Sequence, residues 1–125
     1  MRSLLFNGFF LFTTILYAFV CVILSLLPGR KIMMASLRRY TRVMVWGMRV
    51  IAGIKVQVTG HEHIPTDGPV IIAAKHQSYG DGFVVFSQFF DLSFVTGDAI
   101  TKFLFIGRIL DKAGAVVINL SLIHI

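Results

Sequence analysis

Val70-Ile71-Ile72-Ala73-Ala74, followed by Lys75-His76-Gln77-Ser78-Tyr79-Gly80-Asp81, is the stretch on which the fold turns. Five apolar residues stand between Pro69 and Lys75, the pattern of a short buried strand. From Asp81 to about Phe90 the chain is apolar again and reads as the first turns of a helix. Between them lies a polar turn in which Ser78 can cap the helix and Gly80 supplies backbone freedom. A histidine at a strand end can serve as a general base near neutral pH. It works best with a carboxylate that fixes its tautomer. On one continuous helix His76 and Asp81 would point about 140° apart. A turn running into a helix start lets them meet. The spacing alone arises readily by chance; the strand before it and the apolar segment after it give it weight.

Working outward, Ile54-Lys55-Val56-Gln57-Val58-Thr59 alternates apolar and polar residues and predicts a half-buried strand. Gly60 to Pro69 carries two prolines and two glycines and predicts a loop. Leu92–Val95 and Ala115–Asn119 are further strand candidates, and Phe103–Ala113 has a helical pattern. Strands alternating with helices predict an α/β domain with a largely parallel sheet. Residues 54–119 are few for such a core, so the chain is expected to hold only part of the domain.

Upstream the character changes. Ser3 to Gly29 contains no charged residue, and Leu4–Leu27 is dense in Phe, Leu, Ile and Val. Its 24 residues would reach roughly 36 Å as a helix, enough to cross a ~30 Å hydrocarbon layer. Pro28-Gly29 ends it, and Arg30-Lys31 follows. The run is too long for a cleaved leader and no small-residue cleavage site follows it, so a retained anchor is predicted. The basic C-terminal flank places the rest of the chain on the cytoplasmic side. From Lys31 to about Ile51 a second helix is predicted. Lys31, Arg38, Arg42 and Arg49 share one stripe, opposite Met33, Leu37, Tyr40, Met44, Met48 and Ile51. That pattern suits a helix lying in a membrane interface. It also suits a helix packed on its own domain with a solvated basic side. Trp46 is read as membrane packing.

Composition agrees. Of 125 residues, 56% are apolar and 14% charged, and the mean hydropathy is +0.80. An average soluble domain is about 25% charged. These values exclude a disordered chain and argue against a purely soluble globule. The net charge of +6 hides an asymmetry: residues 1–61 carry eight basic residues and no acid, whereas 62–125 carry four basic residues and all six acids. An apolar, basic half points to an anionic partner. Its position beside an apolar span favours lipid head groups, and no element for reading bases or tracking a nucleic-acid backbone accompanies it. The single cysteine, Cys21, leaves no disulfide and no cysteine-rich metal site, and reads as a buried hydrophobe. His61 and His63 read as surface histidines in a loop.

The chain resembles the membrane-bound glycerolipid acyltransferases, most of all the 1-acylglycerol-3-phosphate (lysophosphatidic acid) acyltransferases. His76, Ser78 and Asp81 match the first motif of that family, His-x4-Asp with Ser two residues after His. Gly60-x-Glu62-x-Ile64-Pro65 and Gly68-Pro69-Val70-Ile71 resemble its approach to that motif. Gly114 and Ile118 fit a later Gly-x-x-Phe-Ile-Asp-Arg block, in which Val117, Asn119 and Leu120 replace Phe, Asp and Arg. Lys102 resembles a lysine often seen before it. The Glu-Gly-Thr-Arg motif associated with the acceptor phosphate has no counterpart, and Leu120-Ser-Leu-Ile-His124-Ile125 is unlike the family.

The resemblance implies an α/β chain of four parts: a transmembrane anchor over 1–29, a basic amphipathic interfacial helix over 30–53, the first part of an acyltransferase domain over 54–119, and a non-native tail over 120–125. It implies acyl transfer from acyl-CoA or acyl carrier protein to the free hydroxyl of a lysophospholipid, giving phosphatidic acid when the acceptor is 1-acylglycerol-3-phosphate. His76 would be the base and Asp81 its orienting partner, with Ser78 and Gly80 in support. Lys102, Arg108 and Gly114 would be candidates for substrate binding. The resemblance implies no metal or cofactor, with membrane lipid, lysolipid and acyl donor as partners and no nucleic acid. The site would face the cytoplasm, at the inner membrane in a bacterium, and a chain lacking the later motifs would turn over little. Two alternatives stay open: an enzyme for another lysolipid such as lyso-ornithine lipid, and a non-catalytic membrane protein that binds anionic lipid or a partner.

Overall fold

The computed structural model describes residues 1–102 and 105–119. Its longest element is α1 (Arg2–Leu26), an apolar helix of 25 residues, long enough to cross a membrane. Pro28 and Gly29, the latter at φ +88°, turn the chain back into α2 (Lys31–Gly47), which runs antiparallel along α1. The two helices approach closely because Gly47 has no side chain: a Cβ there would lie 2.2 Å from the Phe9 ring. Thr14 Oγ1 and Tyr40 Oη share a hydrogen bond of 2.9 Å across the seam. The rings of Tyr17 and Tyr40 meet beside it at a tilt of 44°, with centroids 5.3 Å apart.

The methionine face of α2 is packed within the protein. Met33 and Met44 are fully buried and Met34 nearly so. The helix α2 packs against both α1 and α3 (Tyr79–Gln88). Phe83 joins the three helices, with its ring 5.7 Å from Tyr40 and 6.1 Å from Phe10. Lys31, Arg39, Arg42 and Arg49 remain exposed, whereas Arg38 is half-buried. It donates to the carbonyl of Gln88, at the end of α3, and lies over the Phe90 ring. Met48–Ala52 form a π-helical turn that extends α2, ended by Gly53 at φ +77°.

The sheet differs from expectation. Neither Ile54–Thr59 nor Val70–Ala74 pairs as a strand among the described residues. Ile71 is almost fully exposed. A strand of a parallel sheet needs partners for its backbone groups, and among the described residues no strand pairs with these segments. The sheet has two short parallel strands, β1 (Val95–Gly97) and β2 (Val116–Ile118), with Val95 opposite Val116. The crossover helix α4 (Ile106–Ala113) joins them, making one βαβ unit. The strand expected over Leu92–Val95 therefore begins later, and the one over Ala115–Asn119 is shorter. The helix expected from Phe103 starts at Ile106, after a short 3₁₀ turn at Asp98–Lys102 and after Phe105 at φ +66°. The result is mostly helical, with a small parallel sheet. Residues 103, 104 and 120–125, including the expected tail and His124, lie outside the described residues.

Two cations lock the hairpin to the βαβ unit. A helix C-terminus leaves carbonyls unpaired and partially negative. Lys112, at the end of α4, donates to the carbonyls of Leu24 and Leu27 at the end of α1. Arg30, just after α1, donates in return to the carbonyl of Ala113 at 2.8 and 3.1 Å. It also bonds Ser93 and pairs with Asp91. Gly114, at φ +72°, lies directly beneath this guanidinium.

Candidate active site

The His76 turn is organised by the start of α3. Ser78 is its cap, in extended conformation at φ −154°, and its Oγ accepts the N–H of Gly80 at 3.2 Å. Asp81, three residues on, folds back: its Oδ2 accepts the N–H groups of Gln77 at 2.6 Å and Ser78 at 2.8 Å. Ser78-x-x-Asp81 is thus a capping box, which satisfies donors that a helix start leaves open. The hydroxyl of Ser78 reaches Asp81 Oδ1 at 3.3 Å.

This arrangement carries Asp81 to the histidine. Oδ2 lies 3.6 Å from Nδ1 of His76, close enough for charge attraction and slightly beyond a hydrogen bond. The N–H groups of Gln77 and then Ser78 hold the Asp81 carboxyl below the ordinary carboxylate range. Partial desolvation opposes them, while the Ser78 hydroxyl and the charge of His76 add to the lowering. Asp81 is therefore an anion at neutral pH. His76 is largely exposed, at 73% of its side-chain surface, whereas Asp81 is at 35%. With Nδ1 facing the carboxylate, Nε2 is the nitrogen left for a reacting group.

Beside the turn is an open apolar cleft of about 310 Å³. Ser78, Tyr79 and Gly80 form one wall, Met48 and Ile54 another, and Phe6, Asn7 and Phe10 of α1 a third. Gly80 lies against the tip of the Met48 side chain, and a Cβ there would lie 3.0 Å from its Cε. The expected backbone freedom is not what the turn uses: Gly80 is an ordinary helical residue within α3.

His76, Ser78, Gly80 and Asp81 come together as expected. Lys102, Arg108 and Gly114 do not line the cleft. Lys102 ends the 3₁₀ turn, Arg108 is exposed on α4, and Gly114 caps α4 under Arg30. The part played by α1 in the cleft was missed. Its one local signal is Asn7, a polar side chain within an apolar run. The backbone donors of Gln77 and Ser78 follow from the capping-box spacing. Among the described residues no three His, Cys, Asp or Glu side chains gather as a metal site.

Residues 55–121, just over half of the chain, match the acyltransferase family model, and the match includes the His76 turn. The chain therefore belongs to the acyltransferase family. It is similar to 1-acyl-sn-glycerol-3-phosphate acyltransferase from Pseudomonas aeruginosa, with 38% identity over 69 residues. These cover 55% of this chain and 26% of that relative, so the chain spans about a quarter of the relative's length. No solved structure matches the chain.

Proposed function

We propose that the protein transfers an acyl group from acyl-CoA or acyl carrier protein to the free hydroxyl of a lysophospholipid, with 1-acylglycerol-3-phosphate as acceptor and phosphatidic acid as product. The observation that carries this reading is the 3.6 Å approach of His76 Nδ1 to an Asp81 carboxylate pinned by two backbone N–H groups. The named activity of the Pseudomonas relative supports the choice of acceptor.

In this mechanism Asp81 keeps the proton of neutral His76 on Nδ1 and stabilises the imidazolium that forms. Nε2 takes the proton of the acceptor hydroxyl as its oxygen attacks the thioester carbonyl. The tetrahedral intermediate collapses, the carbon–sulfur bond breaks, and the imidazolium returns the proton to the departing thiolate. No acyl-enzyme forms. The hydroxyl of Ser78 is engaged in capping α3, which favours a supporting role. A 3.6 Å separation suits a site without substrate, because catalytic hydrogen bonds often tighten only in the complex.

In this reading Lys102 and Arg108 are exposed cations available to phosphate groups. The protein works at the cytoplasmic face of a membrane, the inner membrane in a bacterium, where lysolipid and product reside. The exposed apolar surface of α1 and the basic residues of α2 support that location. In the 125-residue chain taken alone little turnover is expected, because the Glu-Gly-Thr-Arg motif is missing from its sequence.

The test is an acceptor panel for the protein expressed from its complete reading frame. Acyl-CoA or acyl carrier protein is offered with 1-acylglycerol-3-phosphate, lyso-ornithine lipid or lysophosphatidylcholine. Preferential formation of phosphatidic acid is expected. Preference for another lysolipid would replace the acceptor, and transfer to none would remove the reading.

A further inference from the structure

Of the residues that line the cleft beside the His76 turn, three carry polar side chains: Asn7, Ser78 and Tyr79. The Ser78 hydroxyl is engaged by the Gly80 N–H and the Asp81 carboxylate. Tyr79, 87% exposed, belongs to the rim. Asn7 differs from both. Among the described residues its side chain has no hydrogen-bond partner. It is also the one amide side chain between Arg2 and Arg30. Other polar groups of α1 are engaged within the protein: Thr14 bonds Tyr40, and Ser25 bonds the carbonyl of Val22. On a helix Phe6, Asn7 and Phe10 share a face, and Phe10 is held against Phe83 of α3. Asn7 therefore stands in the cleft wall with its amide donors and its carbonyl acceptor open. A ligand that displaces its water and offers no partner incurs the cost of an unpaired amide.

The rest of the lining says what that partner is. Phe6, Phe10, Met48, Ile54 and Phe83 make a wall for hydrocarbon. In a lysophospholipid the hydrocarbon joins the head group through an ester, whose carbonyl accepts hydrogen bonds and donates none. The Asn7 N–H is its complement. Acyl transfer involves a second carbonyl, that of the donor thioester. This one is attacked, so it lies against the hydroxyl whose proton passes to Nε2 of His76. The ester carbonyl of the acceptor does not react, and it stands only a few bonds from the free hydroxyl. The cleft wall begins at Ser78, two residues beyond the base. A donor placed beside the base suits the carbonyl that does not react.

We propose that Asn7 is a specificity-determining residue, which donates a hydrogen bond to the ester carbonyl of the lysophospholipid acceptor and so distinguishes an acyl-linked chain from an ether-linked one. The inference rests on the acyl-transfer reading given above. In an ether-linked acceptor a methylene replaces the carbonyl. The Asn7 amide would then face hydrocarbon with its water displaced. A site built to hydrogen-bond one group discriminates against the analogue that lacks it, because its own polar group is left unpaired.

The test uses the protein from its complete reading frame with acyl-CoA as donor. The acceptors are 1-acylglycerol-3-phosphate and its 1-O-alkyl analogue of equal chain length, presented in the same mixed micelles. The wild type should use the acyl acceptor about threefold to tenfold better in kcat/KM, the worth of one neutral hydrogen bond. In Asn7→Leu the two acceptors should become equal, through loss of the acyl acceptor alone. Because the ester carbonyl does not react, the loss should fall on KM and leave kcat nearly unchanged. The ratio is read on one protein, so a smaller folded fraction cancels from it. Equal use of both acceptors by the wild type, or a preference that survives in Asn7→Leu, would overturn the inference. So would a fall in kcat shared by both acceptors, which would assign Asn7 to the reacting carbonyl. Transfer to neither acceptor would remove the acyl-transfer reading and this inference with it, whereas transfer to both without preference would remove this inference alone.

Discussion

Oδ2 of Asp81 lies 3.6 Å from Nδ1 of His76 while accepting the N–H groups of Gln77 and Ser78. One carboxylate thus closes a helix start and faces the candidate base. Structure and chemistry are coupled in a turn of six residues, and each role can be probed separately.

The first consequence is a pH dependence. The folded carboxyl of Asp81 titrates below its ordinary value of 3.8, so the stabilisation that it gives is fully present above about pH 4–5. It is lost as pH falls through the lower folded value. In an NMR titration the amide signals of Gln77 and Ser78 should move together, with a midpoint below 3.8. A midpoint at or above that value would mean that the two donors do not hold the carboxylate in solution.

Replacing Ser78 by alanine removes the cap but not the acid–base pair. A lost cap of this kind costs about 1 kcal/mol, measurable by denaturant unfolding. Acyl transfer by the complete protein should fall modestly and persist. Complete loss of turnover in a folded S78A variant would instead point to a direct chemical role for the hydroxyl.

Gly47→Ala tests the seam that brings α1 to the cleft. Its Cβ would meet the Phe9 ring at 2.2 Å, so the ring or the helices must shift. Overpacking of this kind costs about 1–3 kcal/mol. Unfolding should shift accordingly, and the emission of Trp46, which neighbours Phe9, should change. Unaltered stability and emission would show that the seam is looser than described.

Arg30→Ala breaks the lock between the hairpin and the βαβ unit. Its guanidinium serves Asp91, Ser93 and Ala113, and is about one-third exposed. Charged hydrogen bonds contribute about 1.5–3 kcal/mol, and exposure places this one toward the lower end. Amide exchange should accelerate at the end of α4 and in β2. No change in either would assign the cohesion to Lys112 alone.

The sequence carried the local features well. The ends of α1 follow from a run without charges closed by Pro28-Gly29, and the start of α3 from Ser78-x-x-Asp81. The pairing of His76 with Asp81 followed from the motif once a turn was placed between them. Features made by tertiary approach were hidden. Arg30 reaches Ala113 across 83 residues, and no local pattern announces it. Gly80 reads as a source of backbone freedom for the turn, whereas it is an ordinary helical residue of α3 with the tip of Met48 beside it. Val70–Ala74 has the pattern of a buried strand, but a strand needs hydrogen-bonded neighbours, and among the described residues no strand pairs with it. The methionine stripe of α2 reads equally as a lipid face or a protein face. Only the positions of α1 and α3 distinguish them.

The central claim is that His76, oriented by Asp81, is the base in acyl transfer. Its most direct test is the rate of phosphatidic acid formation by the protein from its complete reading frame, wild type against His76→Ala, with vesicle binding followed in parallel. General bases typically contribute about 10²–10⁴-fold. The account predicts a loss of that order with membrane binding retained. Unchanged turnover in the His76→Ala protein would contradict it.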